Sequence, residues 1–320
     1  MVIPPLTAVT TGEAAAGRGS ASPNRRAAAT TLPGTWATAT GARAVPQQTG
    51  AADRPGARPA VHTGSMPEGD VVWHTARRLH AALAGRALTR SDFRVPRLAT
   101  ADLTGDTVTE ALSRGKHLLI RTRGARTIHT HLRMDGSWRV RPAAEALRDS
   151  HRIRLLLANE DWQAIGYQLG IVELIPTRHE ARLLGHLGPD LLGPDWDCAE
   201  AVRRLNAEPH RPIGEALLDQ RNLAGIGNLY KAEVLFLRGI SPWRPVGEVA
   251  DLGAVAELAR RLLEANKDRA GQVTTGSRRR GEETWVYGRR GLPCRRCGTP
   301  VRAEGQQDRV TFWCPSCQAG

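Results

Sequence analysis

From Asp70 onward apolar residues recur at helical spacing, with Val72, Ala76, Leu79 and Leu83 four, three and four positions apart. That period predicts an amphipathic helix, and Gly85 is placed to end it. Between about residues 93 and 175 the pattern shortens to brief apolar runs separated by turn residues. The runs predict seven strands, at Thr107–Leu112, His117–Thr122, Thr127–Leu132, Ser137–Arg141, Arg152–Leu157, Gln163–Tyr167 and Ile171–Ile175. So many short strands in succession read as a two-layer β-sandwich packed against the first helix. From about 177 to 268 the helical period returns, broken at Gly188-Pro189, Pro209–Pro212 and Gly225-Ile226-Gly227. The stretch Gly271–Gly291 is basic and glycine-rich, with Arg278-Arg279-Arg280, and reads as a mobile loop. Residues 1–65 have almost no aliphatic period. Their Ala, Thr, Gly, Pro and Arg cannot bury enough apolar surface to offset chain entropy, so disorder is expected there.

The fold class that follows is α+β and multidomain. A β-sandwich domain with its flanking helix is expected over 66–182, a helical domain over 183–290 and a cysteine-rich tail over 291–320, behind the extension 1–65. No apolar run reaches 18 residues, so no membrane span is expected. The formal charge is +13, and six arginines against Glu13 and Asp53 assign +4 of it to the extension. The surplus left on residues 66–320 favours a polyanion such as nucleic acid as partner. Only three lysines, Lys116, Lys231 and Lys267, stand beside 42 arginines, which singles out each of them.

Four of the five cysteines fall in the last 27 residues, as Cys294-x2-Cys297 and, sixteen residues on, Cys314-x2-Cys317. Two such knuckles place four thiolates for one tetrahedral structural zinc; a pair of disulfides is the alternative. An apolar strand, Val310–Trp313, leads into the second knuckle, and Arg309 at the tip between knuckles is in reach of a phosphate or a base edge. Cys198 reads as an ordinary core or surface cysteine.

Candidate chemistry gathers at Met66-Pro67-Glu68-Gly69-Asp70. Freed of Met66, Pro67 would present a secondary amine, and an α-amino group has a reference pKa of about 7.7–8.0. Such an amine can attack a sugar C1′ and form an iminium, with Glu68 beside it to move protons. Further on, Leu217–Glu233 reads as a helix, a glycine turn and a second helix beginning near Asn228. Either it is a plain helical hairpin, or its amides and Asn228 at the N-cap serve a phosphate. Lys116 sits on the turn Ser113–His117, projecting from a sheet edge. Met134, in Leu132–Gly136, either fills a core gap or acts as a wedge in a base stack.

Taken in order, Met-Pro-Glu-Gly, Arg-Gly-Lys on a hairpin, His-Leu-Arg-Met-x-Gly, Leu-x-Asp-Gln-x-x-x-Ala-Gly-Ile-Gly-Asn and the four-cysteine tail resemble the formamidopyrimidine-DNA glycosylase/endonuclease VIII family over residues 66–320. The resemblance implies a β-sandwich domain, a helix–two-turn–helix domain and a zinc finger, with damaged double-stranded DNA bound between them. It implies Pro67 as nucleophile, Glu68 as proton donor, Lys116 as a phosphate contact at the catalytic site, Asn228 and Arg309 as phosphate grips, and Met134 as the intercalating residue. A bacterial cytoplasmic, nucleoid-associated monomer holding one zinc is expected, acting as a glycosylase and lyase. Pro-Glu-Gly leans toward oxidised pyrimidines; oxidised purines, or a non-catalytic nucleic-acid-binding module, are the alternatives. In two respects the chain departs from the pattern. Val71, beside Asp70, stands where many relatives carry glutamate, and Pro67 is internal. Residues 1–65 therefore read as a start-site overcall or a leader, and the working chain is expected to begin at Pro67.

Overall fold

The computed structural model describes residues 67–269 and 271–319. The disorder expected of residues 1–65 lies outside the described residues. The first helix, α1 (Gly69–Leu83), buries the foreseen stripe, with Val72, Ala76, Leu79 and Leu83 at most 3% exposed. All seven expected strands are present within two residues of their predicted ends: β2 (Val108–Arg114), β3 (His117–Thr122), β4 (Arg126–His131), β5 (Ser137–Pro142), β6 (Ile153–Ala158), β7 (Trp162–Tyr167) and β8 (Ile171–Pro176). An eighth, β1 (Arg90–Phe93), was not foreseen, because four residues of which three are polar carry no alternation signal. The strands form two antiparallel four-stranded sheets, ordered β1-β6-β7-β5 and β2-β3-β4-β8. Leu118, Ile120 and Ile128 from one sheet meet Leu155, Leu157 and Ala164 from the other, and α1 packs into the same core. Each leucine or isoleucine among them contributes about 1.5–3 kcal/mol on leaving water.

A helical layer follows, with α2 (Glu180–Leu184), α3 (Cys198–Leu205), α4 (Ile213–Leu218), α5 (Asn228–Arg238) and α6 (Leu252–Asn266). Asp197 caps α3 by accepting from Glu200 N, and Asp251 caps α6 by accepting from Ala254 N. Cys198 is half-buried at the start of α3. Tyr230 and Val234 of α5 pack with Val255 and Leu263 of α6. The opposite side of α5, through Ala232 and Phe236, packs on Val286, Val301, Cys294 and Cys314 of the tail. The tail's two strands, β9 (Arg302–Gln306) and β10 (Arg309–Trp313), pair antiparallel. No helix among the described residues is long and apolar enough to cross a membrane.

The stretch expected to be a mobile loop has no helix or strand, yet its backbone is tied down. Buried Glu233 of α5 accepts hydrogen bonds from the amides of Trp285, Val286 and Tyr287 at 2.7–2.9 Å, and from the Thr274 hydroxyl. A carboxylate with that many donors anchors a segment that lacks an apolar period of its own.

Candidate active site

Glu68 links the start of α1 to the start of α5, 160 residues away in sequence. Its carboxylate accepts from the amides of Gly227 and Leu229, each at 2.7 Å, and from Tyr230 N at 3.4 Å. The anion at the N-terminus of α5 is therefore the protein's own carboxylate. The expected N-cap is corrected: Gly227 occupies that position and Asn228 is the first helical residue. A β-carbon on Gly227 would lie 2.6 Å from the Glu68 carboxyl carbon, so only glycine allows this approach. Asn228 is buried, and its Nδ2 donates to the Val310 carbonyl at 2.8 Å, joining α5 to the cysteine-rich tail. Its Oδ1 has no hydrogen-bond partner among the described residues.

Burial pushes the Glu68 pKa up to about 7, against the opposing charge of Lys116 and the amide donors. Near neutral pH it is then able both to give and to take a proton. Asp70 is also buried; it accepts from the Tyr230 hydroxyl at 2.7 Å and from Gln272 Nε2 at 3.1 Å. Burial raises its pKa as well, and the nearby Asp70 charge adds to the upward shift of Glu68. In the sequence Asp70 is only a neighbour of Val71, since its partners, Tyr230 and Gln272, lie 160 and 202 residues away.

Lys116 stands on the β2–β3 turn. The residue is half-buried, and burial lowers the pKa of its ammonium while the Glu68 charge opposes the shift. It does not project freely into solvent from a sheet edge, as its turn position had suggested. The turn is held by buried Asp190, whose Oδ2 accepts from Gly115 N at 2.7 Å. Gly115 has φ +55°, and a β-carbon there would meet the Ala224 β-carbon at 2.9 Å. Gly115→Ala is expected to cost about 2 kcal/mol in urea unfolding, from the left-handed backbone and the clash together. The glycine turn itself is braced by Gln220, whose side chain accepts from Gly225 N and donates to the Leu218 and Ile226 carbonyls.

From the other side, the β4–β5 turn presents Met134, 53% exposed, so it is no core filler. Arg133 within this turn adopts φ 56°, a strained conformation for a side chain of its size. Arg309, at the start of β10, approaches the Met134 sulfur with Nη1 at 3.6 Å. Pro67, Glu68, Lys116, Met134, Asn228 and Arg309 thus line one cavity of about 360 Å³. His131, Arg133 and Gln220 line it too; they stand inside the motifs quoted above, which gave them no role of their own.

The four cysteine sulfurs lie within 4.8 Å of one another, with Cys294–Cys317 at 3.9 Å and Cys297–Cys314 at 3.5 Å. Tetrahedral zinc with Zn–S near 2.3 Å sets sulfurs about 3.8 Å apart. The amides of Arg296 and Cys317 point at the sulfurs of Cys294 and Cys314, as thiolate ligands require. Four soft donors in this spacing fit zinc.

Family models match three stretches of the chain: the formamidopyrimidine-DNA glycosylase N-terminal domain over residues 66–166, its H2TH domain over 187–270, and a zinc finger found in FPG and IleRS over 291–320. A probable endonuclease 8 2 from Streptomyces coelicolor is 57% identical over 263 residues, covering 80% of this chain and 95% of the relative. The chain belongs to the formamidopyrimidine-DNA glycosylase/endonuclease 8 family. Another family member, the DNA-(apurinic or apyrimidinic site) lyase Nei2 of Mycolicibacterium smegmatis, is 51% identical over 253 residues, or 79% of this chain and 99% of its own. Among solved structures of the family, the Lactococcus lactis glycosylase bound non-covalently to DNA with an AP site superposes with a TM-score of 0.68. It is 26% identical and covers 79% of this chain and all of its own. The β-sandwich, helix–two-turn–helix and finger described above are this family's architecture.

Proposed function

We propose that the chain is a bifunctional DNA glycosylase and AP lyase that removes oxidised bases, chiefly pyrimidines, from duplex DNA. The observation that carries the reading is the meeting of Pro67 and a Glu68 of pKa about 7 at one cavity with Lys116, Asn228 and Arg309. A damaged base flips out of the stack at a cost of a few kcal/mol that damage lowers. The Pro67 nitrogen lone pair forms a bond to C1′, the base departs with the glycosidic electron pair and takes up the proton that the amine sheds, and Glu68 gives a proton to O4′ as the C1′–O4′ bond breaks. Because proline is a secondary amine, the adduct is a cationic iminium. It draws electrons from the C2′–H bond, so the 3′ phosphate and then the 5′ phosphate are eliminated.

In this reading Lys116, Asn228 and Arg309 hold phosphates around the lesion, and Met134 fills the gap left in the stack. One zinc on Cys294, Cys297, Cys314 and Cys317 keeps β9 and β10, and with them Arg309, in place. Domain limits of 66–182, 183–290 and 291–320, and a monomer acting on DNA in the bacterial cytoplasm, complete the proposal. Relatives named endonuclease 8 2 at 52–57% identity and Nei2 at 51%, against 35% for a formamidopyrimidine-DNA glycosylase of Rhizorhabdus wittichii, support the pyrimidine preference. Side-by-side incision of duplexes carrying thymine glycol or 8-oxoguanine tests it, and faster cutting at 8-oxoguanine would reverse the assignment. Chelating the zinc is expected to lower the melting temperature and weaken duplex binding by at least about tenfold, with recovery on adding zinc back.

A further inference from the structure

We propose that Glu173, His129 and His117 form a positioning chain for the bound DNA strand, holding the backbone at Lys116 and the imidazole of His131 in the cavity wall. The proposal rests on the glycosylase reading above. His117 opens β3 directly after Lys116, and its cross-strand partner in β4 is His131. His117 Nδ1 lies 2.9 Å from His129 Nε2, and His129 Nδ1 lies 2.9 Å from Glu173 Oε2. His129 is 1% exposed, whereas the Glu173 side chain is 46% exposed, so the chain runs from the surface inward.

Its direction is set from one end. A carboxylate only accepts, so the proton of a neutral His129 sits on Nδ1. Its Nε2 is then a bare acceptor, and the hydrogen of the next bond belongs to His117 Nδ1. Burial lowers the pKa of both rings, that of His117 to about 3, which keeps the pair neutral as this direction requires. His131 has the opposite tautomer: its Nδ1 accepts from Arg133 N at 2.9 Å, leaving the hydrogen on Nε2. The His117 ring stands edge-on to it, centroids 5.1 Å apart at 86°. The chain therefore fixes the residue next to Lys116 and braces the histidine that lines the same cavity. There an ammonium and an imidazole N–H are two donors suited to one strand phosphate.

Nitrogen-15 spectra of the imidazoles in the zinc-loaded 320-residue protein test this without DNA. His117 and His129 are expected protonated at Nδ1 and His131 at Nε2; a proton on His129 Nε2 instead overturns the proposal. His129→Leu is expected to weaken binding of a duplex carrying a tetrahydrofuran abasic analogue about tenfold. His129→Gln, whose amide accepts from His117 and donates to Glu173, is expected to stay within about twofold of the unchanged protein. Glu173→Leu, a change at the surface, is expected to weaken binding in the same direction and serves if the buried substitution fails to fold. Unchanged affinity in both leucine variants, or a glutamine variant as weak as leucine, overturns the chain. A protein that neither cuts lesion duplexes nor prefers the abasic analogue to plain duplex overturns the glycosylase reading instead, and the DNA-free spectra separate the two failures.

Discussion

Borohydride is expected to trap a protein starting at Pro67 on an abasic-site duplex and to leave the 320-residue chain unattached. The reason is electronic. In the full chain the Pro67 nitrogen is a tertiary amide, its lone pair delocalised into the Met66 carbonyl, and it cannot form a bond to C1′. Released, the same nitrogen is a secondary amine that titrates near the reference range of about 7.7–8.0. Removing a nucleophile of this kind lowers turnover by at least about a thousandfold. Lyase activity of the 320-residue form within tenfold of the released form would mean that another group attacks. Binding of an abasic analogue does not need the amine, and comparing the two forms for binding separates a chemical block from a steric one.

Glu68→Gln is expected to lower excision of an intact oxidised base by about a hundredfold to ten-thousandfold. It is expected to spare strand cleavage at a preformed abasic site far more. Glutamine keeps an oxygen for the amides of Gly227 or Leu229 but has no proton of the right acidity. Because burial raises the Glu68 pKa to about 7, the fraction protonated falls as pH rises through that value. Excision by the unchanged enzyme should therefore decline on the alkaline side of neutrality, and in the glutamine variant this limb should disappear. Equal losses on intact base and abasic site would assign Glu68 to holding α5 in place and not to proton transfer. A melting curve distinguishes that outcome from simple unfolding.

Much of the fold was legible because it is written locally. The α1 stripe, the seven sandwich strands and the two Cys-x2-Cys knuckles each depend on residues within a few positions of one another. Their burial or ligation follows from period and spacing. β1 escaped because it is short and polar, held by pairing with β6 at Phe93↔Leu155 and not by its own pattern. The bracing of the loop before the zinc finger escaped because its anchor, Glu233, sits in an otherwise ordinary helical sequence.

The site divides along the same line. Residue type and order sufficed to nominate Pro67, Glu68, Lys116, Met134, Asn228, Arg309 and the four cysteines. Tertiary structure alone decided that the first six share a cavity, that Glu68 and not Asn228 caps α5, and that Asp190 holds the Lys116 turn. It alone decided, too, that His129 lies between Glu173 and His117. A chain of amino acids specifies which groups exist and which local periods they keep. Whether a carboxyl near α1 is an acid at neutral pH depends on amides and water excluded some 160 residues away, and that is settled only when the helices meet.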